Sequence, residues 1–475
     1  MKRGYAYPVG LTIFLLLVAC GPLALVPSPL PPTPTAPPLA ATTLPPTSTP
    51  LPPTPTATPT LVPTLPPAPT KTPAAPASLP ADVVALMDRI EDEVEELRGL
   101  DEIKPITRTL MTQDQLADYL EEEFHREYTP DEIQADTLTL AAFDFVPEDF
   151  DLLDLLLDLY STQVLGLYDD EKDTFYVLSE EEFDILDQVT FAHEYTHGLQ
   201  DEHFNLETFV DGDTQPDDVL LAHMALVEGD ATLSMSEWLQ SQVARLTPQD
   251  LELLLNPEQD PAGQAALDAA PPIIRETFEF PYTYGLEFVR RLHEQGGWDA
   301  VNAAFADPPQ STEQILHPEK YFDRDPPTVV ALPPLTDTLG SGWYLVETDN
   351  LGEFQTAIYL ENFVDETTAE EAAAGWDGDR YALYANGSNR VLVFATVWDT
   401  PADRQEFVAA YGLYAEKKYG QPPTGSSETE RRWQTAEQTT VITWDDTHVW
   451  IVIGPDGETV DKVLGTLGGE AQWEL

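Results

Sequence analysis

Residues His193-Glu194-Tyr195-Thr196-His197 constrain this chain more than any other run. They place two imidazoles four positions apart in a stretch that reads as helix from about Glu181 to His203. On an α-helix, residues i and i+4 lie one above the other, so both rings can offer a nitrogen to one point. Neutral imidazole ligates divalent transition metals, zinc above all. Glu194, beside the pair, is spaced to take a proton from a water whose pKa the ion lowers toward neutrality. The expected chemistry is metal-assisted hydrolysis of peptide bonds, with Zn2+ as cofactor and Glu194 as the catalytic base and then acid.

A catalytic zinc site needs a third protein ligand and one position left for water. Two downstream residues qualify. His203 lies ten positions after His193, and Glu228 is a carboxylate set in the apolar run Leu220 to Ala231, where burial demands a partner. The His203 spacing resembles the H-E-x-x-H-x-x-G-x-x-H pattern of metzincins, but Gln200 stands where that pattern has the turn glycine. The run Ala225-Leu226-Val227-Glu228-Gly229-Asp230-Ala231, about thirty residues after the histidines, resembles the gluzincin arrangement of zinc metallopeptidases. That resemblance implies His193, His197 and Glu228 as metal ligands and covers roughly Ala81 to Asp325. It departs at Thr232, where thermolysin-like members carry an aspartate that orients the first histidine, and Asp230 falls on another face of the helix. Gly229 and Ala231 are expected to let this helix pack closely on the histidine helix.

Hydration of a peptide carbonyl also needs a donor for the developing oxyanion. Phe280 to Val289, read as a proline-bounded loop entering an amphipathic helix, resembles an element downstream of gluzincin sites and offers Tyr282 and Tyr284. Ser311 to Tyr321 adds His317. Tyr284 is slightly favoured of the three, and each has packing or capping as its alternative role.

Basic Met1-Lys2-Arg3 and the short apolar run Val9 to Ala19 read as a secretory signal. Leu17-Val18-Ala19-Cys20-Gly21 resembles the bacterial lipobox, which implies lipid on Cys20, the single cysteine of the chain. Residues 21–80, rich in proline and threonine, read as a disordered stalk with polyproline-II character. The expected location is the extracytoplasmic face of a cell membrane, held by lipid. With 84 acidic against 23 basic residues the net charge is -61, which argues against nucleic acid as a partner. The expected partner is a peptide or protein substrate. A calcium loop of regular Asp-x-Asp-x-Asn-Gly form is absent from the sequence.

The expected fold class is α+β. Residues 81–330 form a helix-rich, metallopeptidase-like domain, and after the proline-rich join at Pro326 to Pro334 residues 331–475 form a second α+β domain. In the first, Asp82 to Leu100 has helical spacing, a short strand runs from Ile106 to Leu110, and capping boxes start helices at Thr112 and Thr129. Phe150 to Tyr160 reads as helix, and residues 164–168 and 174–178 as a hairpin that either pairs an extended substrate or covers the core. In the second, Thr356 to Phe363, Tyr381 to Tyr384, Arg390 to Trp398, Thr439 to Trp444 and His448 to Ile453 read as strands. Glu366 to Ala374 and Thr400 to Tyr419 read as helices, and Gly375 to Arg380 as turn. The rival to catalysis is an envelope-binding lipoprotein that keeps the scaffold without cleaving.

Overall fold

The computed structural model describes residues 79–163, 166–169, 172, 174–178, 183–209, 215–255 and 261–468. The signal-like segment, Cys20 and nearly all of the stalk lie outside these residues. Among those described, no helix is long and apolar enough to cross a membrane.

Helix α1 (Ala81–Arg98) opens the folded part and ends at Gly99, whose φ of 75° satisfies the left-handed C-cap. Strand β1 (Thr107–Met111) follows, then α2 (Gln113–Glu127) and α3 (Pro130–Ala142). Both helices start at full capping boxes, Thr112 with Gln115 and Thr129 with Glu132. After α4 (Leu152–Gln163), β2 (Gly166–Asp169) and β3 (Thr174–Leu178) pair antiparallel, and β1 joins β3 in parallel. The order β1-β3-β2 leaves β2 at an edge.

Two helices then form the centre. In α5 (Ile185–Phe204) every residue from Val189 to Gln200 is buried, and α6 (Asp217–Gln242) is buried from Leu220 to Met235. Around them lie α7 (Pro248–Leu255), α8 (Pro261–Ala269), α9 (Pro272–Phe280), α10 (Leu286–Gly296), α11 (Trp298–Ala306), α12 (Thr312–Leu316), α13 (Pro318–Asp323) and α14 (Thr336–Leu339). The expected loop before α10 is instead one π-helical turn, Pro281–Gly285, that joins α9 to α10 without a break. Pro281 has no N–H to give, and the Thr283 hydroxyl returns to the carbonyl of Glu279 at 2.9 Å.

Gly229 faces this turn rather than the histidine helix. A Cβ there would lie 2.3 Å from the Gly285 carbonyl oxygen, and one at Gly285 would lie 2.3 Å from that of Ala225. The two backbones therefore touch, and only glycine fits at either place.

The C-terminal part is a seven-stranded sheet of order β4-β5-β6-β10-β9-β8-β7. Its elements are β4 (Tyr344–Asp349), α15 (Gly352–Glu361), α16 (Glu366–Ala373), β5 (Trp376–Asn386), β6 (Asn389–Trp398), α17 (Pro401–Tyr419), β7 (Gly425–Ser426), β8 (Glu430–Gln434), β9 (Thr439–Trp444), β10 (His448–Gly454) and α18 (Gly457–Leu467). Alternation along β5 and β6 sends Tyr381, Leu383, Leu392 and Phe394 to one face and Ala382, Tyr384, Val391 and Val393 to the other. Helix α18 covers the second face through Val460 and Val463. On the first, Phe143 at the end of α3 meets Tyr359, Tyr381 and Phe394 edge-on at 5.1 to 5.6 Å, so one apolar core runs through helices and sheet alike. The proline-rich join lies on the sheet, with Val330 against Ala395 and Val397. The structure is 59% helical and 16% strand, which is the α+β class.

Two expected elements are corrected. Thr356 to Phe363 lies mostly within α15, not a strand, and the supposed turn Gly375 to Arg380 is largely the start of β5.

Candidate metal centre

Helix α5 is bounded by side chains that fix its phase. Asp184 accepts from the N–H groups of Leu186 and Asp187, Asp187 returns a bond to the N–H of Asp184, and Asn205 closes the C-terminus at φ 59°. The histidines sit in its middle turns, where buried neighbours set their direction.

His193 Nε2 stands 3.1 Å from Glu228 Oε2 and 2.9 Å from His197 Nε2, and His197 Nε2 lies 3.4 Å from the same carboxylate oxygen. Among the described residues this is the one group of three or more such side chains whose ligand atoms all lie within 4.8 Å. Burial is nearly complete, at 0% exposure for His193, 1% for Glu228, 4% for Glu194 and 6% for His197. Three lone-pair donors this close together could hold a metal ion, and two imidazole nitrogens this close need a cation or a proton between them.

A hydrogen-bond chain sets the tautomer of His197. The Gln200 amide nitrogen faces two groups that can only accept, the Val227 carbonyl at 2.9 Å and Asp230 Oδ2 at 2.8 Å. Its oxygen must therefore face His197 Nδ1, 2.8 Å away, so Nδ1 carries the hydrogen and Nε2 is the nitrogen that offers a lone pair when the ring is neutral. Asp230 in turn receives Arg98 at 2.7 and 3.0 Å, and the guanidinium lies over Trp298 at 4.5 Å. Arg98 and Asp230 are both fully buried. His193 Nδ1 and the Thr232 hydroxyl, buried as well, have no hydrogen-bond partner.

The charges follow this packing. Burial raises the carboxyl of Glu228, but His197 and His193 outweigh it and hold the group down at about 2. Burial lowers both imidazoles and prevails at His193, while Glu228 carries His197 up to about 9. Burial, with the Glu228 charge adding to it, brings Glu194 up to about 8 against the pull of His197 and of the Tyr168 N–H. Glu194 Oε2 accepts from the backbone N–H of Tyr168 on β2 at 3.2 Å, and its Oε1 has no partner. Gly198, on the same helix, leaves room for the tip of the Ile106 side chain, which a Cβ there would meet at 2.4 Å.

The structure thus brings together His193, Glu194, His197 and Glu228. His203 is exposed on the last turn of α5 and bonds the Asp101 carbonyl at 2.9 Å, because the helix runs on past the position where a glycine would turn it. Of the three candidate oxyanion donors, Tyr282 has its ring 6.3 Å from that of His193. Tyr284, the slightly favoured candidate, is 43% exposed and lies on Phe280 and Phe354. His317 is paired with Glu353 at 2.8 Å.

Sequence reasoning missed Arg98 and Gln200. Gln200, three residues after His197 on the same helix face, carried a usable signal. Arg98 carried none, since its partner is 132 residues away.

Compared with known proteins, residues 344–464 match a family model described as a domain of unknown function (DUF8575). That match runs from β4 into α18 and leaves the histidine cluster outside it. No curated protein and no solved structure matches the chain.

Proposed function

We propose that this protein is a zinc metallopeptidase held on the extracytoplasmic face of a membrane by lipid on Cys20. The observation that carries the reading is the convergence of His193, His197 and Glu228, with Glu194 in the adjoining position. These three would hold the ion, which when bound supplies Lewis acidity toward the attacking water and the substrate carbonyl.

The remaining work belongs to the chain's own groups. Glu194, brought by burial into the range near 8, is suited both to take a proton at one of its carboxylate oxygens and to return it to the departing amine. The Gln200–Asp230–Arg98 chain holds His197 in the ligating tautomer. Strand β2 is an edge strand whose Tyr168 N–H already points at Glu194, so an extended substrate pairing along that edge would pass its backbone beside the base. Tyr282 is the candidate donor to the carbonyl oxygen. The net charge of -61 disfavours nucleic acid as a partner.

The test is cleavage of an unstructured protein substrate by the full chain, with a zinc chelator and zinc re-addition. Chelator-sensitive cleavage that zinc restores supports the reading. Zinc-dependent peptide binding without cleavage supports the scaffold lipoprotein instead.

A further inference from the structure

A second polar cluster, half-buried except for the buried Glu347, lies where the first turn of α6 meets the C-terminal sheet. Asp136 of α3, Asp217 at the start of α6, and Glu347 and Asp349 of β4 line a partly open cavity of about 40 Å³ together with Leu140, Phe143 and Tyr381. On the scale where about 10–15 Å³ admits one water, this is room for an ion and a water or two. Glu347 is 5% exposed, and its Oε2 is shut from solvent with no hydrogen-bond partner. Its other oxygen accepts only from the neighbouring Thr348 N–H, at 2.9 Å. Asp349 accepts from the N–H groups of Asp217 and Asn350 at 3.2 and 2.7 Å.

The charges do not balance. The nearest cation, Arg380, donates to the hydroxyl and carbonyl of Thr348 at 3.2 and 3.0 Å, and Glu132 adds a further negative charge beside Asp136. The four carboxylates form a donor set made wholly of hard oxygen atoms, and when all are ionised the one guanidinium leaves three of their negative charges uncompensated.

We propose that this cavity binds one divalent cation of the calcium class, which ties the first turn of α6 to β4. Oxygen-only donors, their number and their charge select calcium over zinc. The carboxylates stand around the cavity rather than meeting at a point, as like charges do, and the ion draws them in. Because α6 also carries Glu228, calcium here fixes the helix that presents the third ligand of the metal centre. The site itself does not rest on the peptidase reading.

Calcium chloride alone is titrated calorimetrically into the chelated and desalted full chain, with magnesium and sodium chloride as ionic-strength controls, and melting is followed in parallel. The expected result is one calcium per chain with Kd at or below about 10⁻³ M, and a rise in Tm that magnesium does not match. Glu347→Gln should weaken binding at least tenfold. In calcium-free buffer the same variant should melt above the parent, since it removes a buried acid that has no counterion. If it does not fold, Asp136→Asn on the rim of the cavity takes its place. Glu194→Gln, which abolishes cleavage without touching this cavity, should keep the calcium response, so that failure of one reading does not read as failure of the other. No calcium-specific heat or Tm shift in the parent chain, or the same response in the cavity variants, would overturn the proposal.

Discussion

The two polar clusters of this molecule are built on opposite principles. Around His193, His197 and Glu228 each charge has a counterpart: two imidazoles against a carboxylate, then Gln200, Asp230 and Arg98 in sequence. Asp136, Asp217, Glu347 and Asp349 line one cavity, and the arginine nearby, Arg380, is spent on Thr348. Burial raises the acids in both places. Cationic neighbours reverse it at Glu228, held at about 2, and do not at Glu347, brought up to about 8. A buried acidic group is therefore not informative by itself, and the sign of what surrounds it decides whether it is a ready ligand or a group awaiting a counterion.

The largest effect expected is on chemistry. Glu194→Gln should cut cleavage by about 10²–10⁴-fold, the range for loss of a positioned acid-base group, and leave melting and zinc content unchanged. Arg98→Met breaks the balanced cluster from outside: it strands the buried Asp230 charge and should cost about 3–5 kcal/mol in denaturant unfolding. Arg98→Met with Asp230→Asn should recover much of that loss.

A pH series separates the clusters by sign. Glu347 has its folded-state pKa raised above the unfolded value of about 4.5, so its contribution is fully present below that value and is lost as pH rises through about 8. Asp218 and Asp379 near the same joint, each raised by burial to about 7, act in the same direction. Without calcium, the unfolding free energy from urea titrations should fall between pH 5 and pH 8 by a few kcal/mol, and calcium should flatten the fall. In the metal-free chain Glu228 has the opposite sign, with stability present above its unfolded value and lost as pH drops toward 2.

Smaller effects sharpen the metal centre. Gln200→Ala should weaken zinc binding about 10–100-fold in a competitive chelator titration, with the fold intact. His203→Ala should change zinc affinity not at all and stability by less than about 0.5 kcal/mol, as befits an exposed side chain.

How far the sequence could be read depended on whether a signal was local. Both candidate ligand histidines and the candidate base were legible because one helix holds them at i, i+1 and i+4. Glu228 was legible because a carboxylate in an apolar run needs a reason. Gln200 entered only as a missing glycine, although it is the residue that orients His197. Tyr282 and Tyr284 differ by the phase of one helical turn, and the π-turn at Pro281 that sets this phase was read as a loop. Helix α15 was misread because Ile358, Tyr359 and Leu360 are all buried, which erases the 3.6-residue alternation and leaves an aromatic, β-branched composition that mimics a strand. The start of β5 was hidden by Gly378, which sits at a bulge where a Cβ would lie 2.1 Å from the Thr328 carbonyl oxygen. The four carboxylates of the cavity come from three elements far apart in the chain, so no spacing could announce them.

Zinc content of the full chain, measured beside Glu228→Ala and Glu194→Gln, decides whether His193, His197 and Glu228 hold the ion. One zinc per chain is expected in the parent and in Glu194→Gln, with loss of the zinc in Glu228→Ala. A parent chain without zinc, or zinc retained in Glu228→Ala, would contradict that ligand set.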